Sequence, residues 1–157
     1  MQNEHTWQGI ISPEPPTAKN DHEAILEQAQ QMLATRKKKL PYLVHQRKMK
    51  KDEANRQIAI FTFIVEDWQW IVSGEGQPAC GSNLQERKKQ LDNSLQVIAQ
   101  IAADDGGFAD PKLQRQAQLV IAMRWHLEPR ENGRDVHWFA ELNHELAWAC
   151  NGDVFNG

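Results

Sequence analysis

The sequence predicts an all-α protein: an N-terminal helical hairpin, a short Gly/Pro-rich linker and a C-terminal group of about three helices. Two observations carry the prediction. Apolar residues recur at alternating steps of three and four in separate windows. Glycine, proline and capping residues fall between those windows, where helices would stop and start. The 157 residues make one domain, or one domain with an arm, and are enough to bury a core.

Residues 1–19 hold Gly9, Pro13, Pro15 and Pro16 without an apolar period. They read as an arm, flexible or laid along the surface, with Trp7, Ile10 and Ile11 able to dock it. Residues 20–72 read as the helical hairpin. Its first helix carries the stripe Leu26, Ala29, Leu33, Arg36, Leu40 and Leu43, with Asn20 or Asp21 as the N-cap. Pro41 lacks an amide donor and disfavours the α region at Leu40, so a kink or break is expected there. The second helix is the most apolar segment. Ile58, Phe61, Val65, Trp68 and Val72 form its stripe, widened by Ile60, Ile64 and Ile71. The β-branched and aromatic content of this run also fits a strand. Its length and its helix-forming flank, residues 52–57, favour a helix. Packing is expected between Leu26, Leu33, Leu40 and Leu43 on one side and Ile58, Phe61, Val65 and Trp68 on the other.

Residues 73–82 are the linker, with three glycines, two serines and a proline. Residues 83–157 read as a helical bundle packing on the hairpin as one compact unit. Leu84, Leu91, Leu95, Ile98 and Ala102 form one stripe, capped by Asn83 and ended by Gly106 and Gly107. Asp110-Pro111 is a capping acid followed by proline at the first helical position. Leu113, Ala117, Val120, Ile121 and Trp125 line the helix that follows, which stops near Pro129. A last helix is expected from about Asp135 to Cys150.

Charge is segregated along this chain. Its 18 Lys and Arg are outnumbered by 21 Asp and Glu, giving a net charge of −3. Yet nine of the 18 lie between Arg36 and Arg56: Arg36, Lys37, Lys38, Lys39, Arg47, Lys48, Lys50, Lys51 and Arg56. From Glu128 onward there are six acids against two arginines. A concentrated cationic stretch produces a local field that recruits an anionic partner, and these nine residues are the candidate binding site. On a helix, Arg36 to Lys39 span most of a turn and cannot all face one way. Arg36 falls on the apolar stripe, so its stem is expected to run along a neighbouring helix. The acidic end is a second candidate partner for the cations, in cis or in a dimer.

Nothing nucleophilic or phosphate-binding has a recognisable signature, so no enzyme and no cofactor are expected. His137, Glu141 and His144 lie at i, i+4 and i+7, a spacing that can place two imidazoles and a carboxylate around a metal. Di-iron bundles use such Glu-x-x-His elements in pairs, and only one is present; a polar helix face with incidental spacing is the simpler reading. Six tryptophans against one tyrosine supply large rigid anchors for a core or an interface. Cys80 and Cys150 form no metal motif. Residues 1–9 lack the basic and apolar regions of a secretory leader, so reduced thiols and a cytoplasmic location are expected. No stretch approaches the ~20 apolar residues of a membrane span.

Residues 36–60 resemble a segment common in small uncharacterised helical proteins of tailed phages and prophages. Arg36, Lys37, Pro41, Val44, Lys48, Met49, Ala54, Arg56 and Ile58 carry the resemblance. Tyr42 follows the proline where the pattern has it before, and Arg47 stands where the pattern has glycine. The resemblance implies a helical hairpin and a phage or prophage origin, hence a bacterial host cytoplasm, and no reaction. The expectation is a non-enzymatic accessory protein that binds a host or phage macromolecule through the basic hairpin, most readily a protein of nucleic-acid or defence machinery. Direct nucleic-acid binding by the same residues is the alternative, and a metal site the distant third. A homodimer through residues 58–72 is compatible with their apolar surplus.

Overall fold

Apolar periodicity becomes four helices in the computed structural model, which describes residues 3–74 and 84–128. The element order is β1 (Asn3–Trp7), β2 (Ile10–Glu14), α1 (His22–His45), α2 (Lys51–Ser73), α3 (Leu84–Asp104) and α4 (Pro111–Trp125). The chain is therefore mostly helical but not all-α. The expected fifth helix, Cys80, Cys150 and most of the linker lie outside the described residues.

The correction comes from the N-terminal segment. Strands β1 and β2 pair antiparallel, with Trp7 opposite Ile10 and Asn3 opposite Glu14. Gln8 and Gly9 connect them with φ of 51° and 88°. Positive φ at both central residues gives a two-residue turn whose twist matches that of the strands. Glycine adopts this conformation freely, and Gln8 is held in it. Alternation then sends Trp7, Ile10 and Ser12 inward and leaves Ile11 exposed. The ribbon is fastened at both ends. Gln96 donates to the Gln8 side-chain oxygen at 2.9 Å, and the Trp125 indole N–H donates to Glu14 at 2.7 Å.

One core draws on all six elements, from Trp7 and Ile10 through Ile25, Phe61 and Trp68 to Leu95 and Ile121. Helix α1 packs on α2 and α4, and α3 packs on α4 and α2. Arg36 lies over Phe61, and His22 sits beside Trp68 near the other end of the pair, so α1 and α2 run in opposite directions. Phe61 and Trp68 are almost wholly buried, each contributing roughly 1.5–3 kcal/mol. The buried face of α1 keeps Ala29 and Leu40 of the expected stripe and otherwise shifts by one position, from Leu26 and Leu33 to Ile25 and Met32. Ile25, Ala29, Met32 and Leu40 are buried, whereas Leu26, Leu33 and Leu43 are half-buried. Nor does Pro41 end α1, which continues to His45. The proline costs the one intrahelical bond that an amide at this position would donate to the Lys37 carbonyl, and four helical residues follow it.

Helix starts and stops follow local chemistry. Asp110 accepts from the Lys112 amide at 2.9 Å, and Pro111 occupies the first turn of α4. Helix α3 ends with the Gly107 amide on the Ala102 carbonyl and the Gly106 amide on that of Ala103, Gly106 having φ +81°. That paired pattern is the Schellman motif, which favours glycine at its left-handed position. Asp21 precedes α1 without a side-chain cap and instead accepts from Arg115 at 3.3 Å.

Two polar features lie inside. Asp67 on α2 accepts from Arg87 on α3 at 2.9 Å, with both side chains nearly inaccessible. Arg87 also lies over the Phe63 ring. Removing one partner strands a buried charge, which costs about 3–5 kcal/mol, whereas replacing both with apolar residues is far better tolerated. Asp67→Ala should therefore lower the unfolding free energy by about 3–5 kcal/mol in urea melts, and Asp67→Leu with Arg87→Met by clearly less than the sum of the single changes.

The second feature is an aromatic cluster where α1 begins and α4 ends. The His126 ring stands edge-on to Trp68 and Trp125, and its Nε2–H donates to the Lys19 carbonyl at 2.9 Å. His22 is 6.1 Å away, with its Nε2 buried and unpartnered. Burial, and then His126, lower the His22 pKa below its ordinary 6.5, against a smaller opposing pull from Asp21. As pH falls through about 6.5, the unfolded chain takes up a proton that the folded chain resists. Stability contributed by neutral His22 is thus complete above that pH and declines below it. Urea midpoints at pH 7.5 and 5.0 should show a loss on acidification that is smaller in His22→Gln.

Candidate functional site

The basic residues occupy α1, the turn after it and the start of α2, and the fold divides them. Arg36 turns inward. Its Nη1 donates to the Met32 carbonyl at 3.1 Å and its Nη2 to the Ser94 hydroxyl on α3 at 3.0 Å. The guanidinium lies 3.7 Å from the Phe61 ring centroid, a cation–π contact. Burial with no carboxylate against it pushes its pKa down to about 10. Arg56 pairs with Glu86 at the start of α3. Both residues act within the fold.

The other seven face solvent. Lys37, Lys38, Lys39, Arg47, Lys48, Lys50 and Lys51 are all exposed, and none forms an ion pair among the described residues. The turn that presents four of them is a second Schellman motif. The Lys48 amide donates to the Leu43 carbonyl and the Arg47 amide to that of Val44, as Gly107 and Gly106 do at the end of α3. Here the left-handed position belongs to Arg47, at φ +61°. Lys50 is the N-cap of α2 in extended conformation without a side-chain cap bond, and Asp52 and Glu53 occupy the first turn. Those two acids favour the positive end of the helix and leave the turn itself cationic. Tyr42, 60% exposed, is the large aromatic beside the cluster, and its hydroxyl accepts from Gln46 at 2.6 Å.

Sequence reasoning missed features that depend on long-range packing. Among the described residues, Arg56, Arg87, Arg115 and Arg124 each meet a carboxylate, whereas Arg36 does not. Its place on the apolar stripe of α1 signals the packed stem, while nothing in the sequence signals its neutral partners. A groove beside Arg36, between α1 and α3, had no sequence signal. His137, Glu141 and His144 lie outside the described residues, as does the acidic segment beyond Glu128. Among the described residues no group of three or more His, Cys, Asp or Glu could hold a metal ion, and no helix is long and apolar enough to cross a membrane. No protein-family model matches the chain, and neither a curated protein nor a solved structure does.

Arg47 offers a test that separates folding from charge. A non-glycine residue in the left-handed region costs about 1–2 kcal/mol, offset in part by the extra freedom glycine has when unfolded. Arg47→Gly should raise the unfolding free energy by roughly 0.5–1 kcal/mol while removing one surface cation. An unchanged or lower urea midpoint would contradict the strain assigned to this turn.

Proposed function

We propose that this chain is a non-enzymatic accessory protein of the tailed-phage and prophage kind, which binds a host or phage protein through the cationic tip of an α1–α2 helical hairpin. One observation carries the reading: seven exposed cations on one stretch of chain have no carboxylate of their own among the described residues, while Arg56 beside them does. Unneutralised like charges repel one another and lower stability slightly, so an anionic partner gains both attraction and relief of that repulsion. A protein partner is favoured over a nucleic acid because Tyr42 is the sole aromatic within the cluster, and single-strand binders stack bases on several. The phage and prophage assignment rests on the resemblance of residues 36–60, and with it the location in a bacterial cytoplasm and the link to nucleic-acid or defence machinery.

Direct nucleic-acid binding by the same lysines is the second reading, since they would serve phosphates equally well. Affinity purification from the bacterial host, with and without nuclease, separates the two. The protein reading expects one partner to survive nuclease and to be lost when Lys37, Lys38, Lys48 and Lys51 are changed to Glu. Recovery of that partner by the reversed variant removes the tip from the account. The nucleic-acid reading expects loss on nuclease treatment. With six to eight phosphate contacts it also expects affinity to drop by about 10³–10⁵ between roughly 50 and 200 mM salt.

A further inference from the structure

Helices α1 and α3 flank an open groove of about 460 Å³. Its apolar lining comes from Met32 and Leu40 on α1 and from Val97, Ile98 and Ile101 on α3. Val97 is 59% exposed and Ile101 44%, two of the four exposed large hydrophobic side chains among the described residues. Amides line the edges, among them Gln31, Gln57 and Gln90. Among the described residues, the charged groups on the groove are Arg36 and Lys39, and no acid lines it.

Arg36 gives the groove its chemistry. A guanidinium taken from water is normally answered by a carboxylate. In a second concavity of this molecule, beside β1 and α4, Arg124 lies within salt-bridge range of both Asp92 and Glu128. In the α1–α3 groove Arg36 reaches, among the described residues, only a carbonyl and a hydroxyl, and its buried Nε meets no hydrogen-bond partner among them. Among the described residues, the site therefore pairs an exposed apolar strip with a cation that lacks its counter-charge. Its extent is set by the helices. From Gln28 to Leu43 on α1 is ~22 Å, and from Gln90 to Ile101 on α3 is ~16 Å, about three helical turns.

We infer that this groove docks an amphipathic helix of a protein partner, its apolar stripe on Val97 and Ile101 and a Glu or Asp on its flank meeting Arg36 and Lys39. The apolar strip, the length and the net positive lining fit the helix-in-groove mode of recognition, in which residues at i, i+3, i+4 and i+7 act as anchors. The inference deepens the protein-partner reading above and rests on it, since it supplies the specific contact to which the exposed lysines would steer an acidic segment.

The probe is a fluorescein-labelled synthetic helix of about sixteen residues, with leucine along one stripe and glutamate on its flanks. Two companions replace every glutamate with glutamine or with lysine. Fluorescence anisotropy with the full chain should show the glutamate peptide binding roughly tenfold or more tightly than the glutamine one, and the lysine one not at all. Val97→Glu and Ile101→Glu, at exposed positions, should each weaken binding by about tenfold with circular dichroism and the unfolding midpoint unchanged. Arg36→Met should erase the preference for glutamate over glutamine. Equal binding of the glutamate and glutamine peptides overturns the inference, as does unaltered affinity in both α3 variants. Failure of the wild-type chain to bind the glutamate peptide overturns it too, including where residues 129–157 or a second copy already fill the groove. If the groove fails while reversal of the tip lysines still releases the partner, the tip stands and only the groove falls.

Discussion

Arg36 joins the parts of this molecule. It belongs to the cationic stretch by sequence, to the core by its contact with Phe61, and to α3 by its bond to Ser94. Its side chain thus helps hold α1 and α3 at the separation that leaves a groove between them. Among the described residues, the fold keeps a partly buried guanidinium there with neutral partners alone. Burial penalises the charge enough to lower its pKa to about 10, well short of neutralising it at physiological pH. Cation–π contact and two neutral acceptors offset part of the desolvation, and no carboxylate supplies the rest.

The same asymmetry governs the surface. Most arginines of the described fold are answered locally, across elements as in Arg87 with Asp67 and Arg124 with Asp92. The lysines of late α1 and the following turn are not. Exposed cations gain little from isolated pairs, so their arrangement contributes less to stability than to the field around one end of α1 and α2. That field decays over about 8–10 Å at physiological salt, which reaches a partner on approach but does not order distant elements. Under the proposed function, steering by the lysines and anchoring in the groove would be complementary roles, one setting the rate of encounter and the other the lifetime of the complex.

The helices were legible in the sequence because their signals are local. Asp110-Pro111, the two glycines after α3, and the Ile58–Val72 stripe each act within a turn or two, and each marks a helix or its end. What depends on partners distant in sequence was not. Leu26-Leu33 and Ile25-Met32 are adjacent stripes on α1, and only the position of α2 and α4 decides which of them is buried. The β-ribbon escaped notice because Gln8-Gly9 is a weaker turn signal than Asn-Gly, and because Pro13, Pro15 and Pro16 read as an arm without regular structure. Its stability comes from Trp125 and Gln96, more than 80 residues away. The buried pair of Asp67 and Arg87 spans the linker, and no spacing rule connects the two. Composition picked out all nine candidate binding residues and the apolar stripe marked Arg36 as packing along a neighbour, while its bond to Ser94 and the pairing of Arg56 with Glu86 required the packed α3.

The proposed function depends on a cationic tip that the chain's own carboxylates, including those beyond Glu128, leave unneutralised. Amine-reactive footprinting of the full chain, read by mass spectrometry, measures this most directly. Lys88, with its side chain 14% exposed and 3.8 Å from Glu128, serves as the internal standard for an engaged lysine. The account predicts that Lys37, Lys38, Lys48, Lys50 and Lys51 are all modified several-fold faster than Lys88, at low and at high salt alike. Protection of those lysines to the level of Lys88, relieved by high salt, would show that the molecule's own carboxylates cover them and would contradict the account.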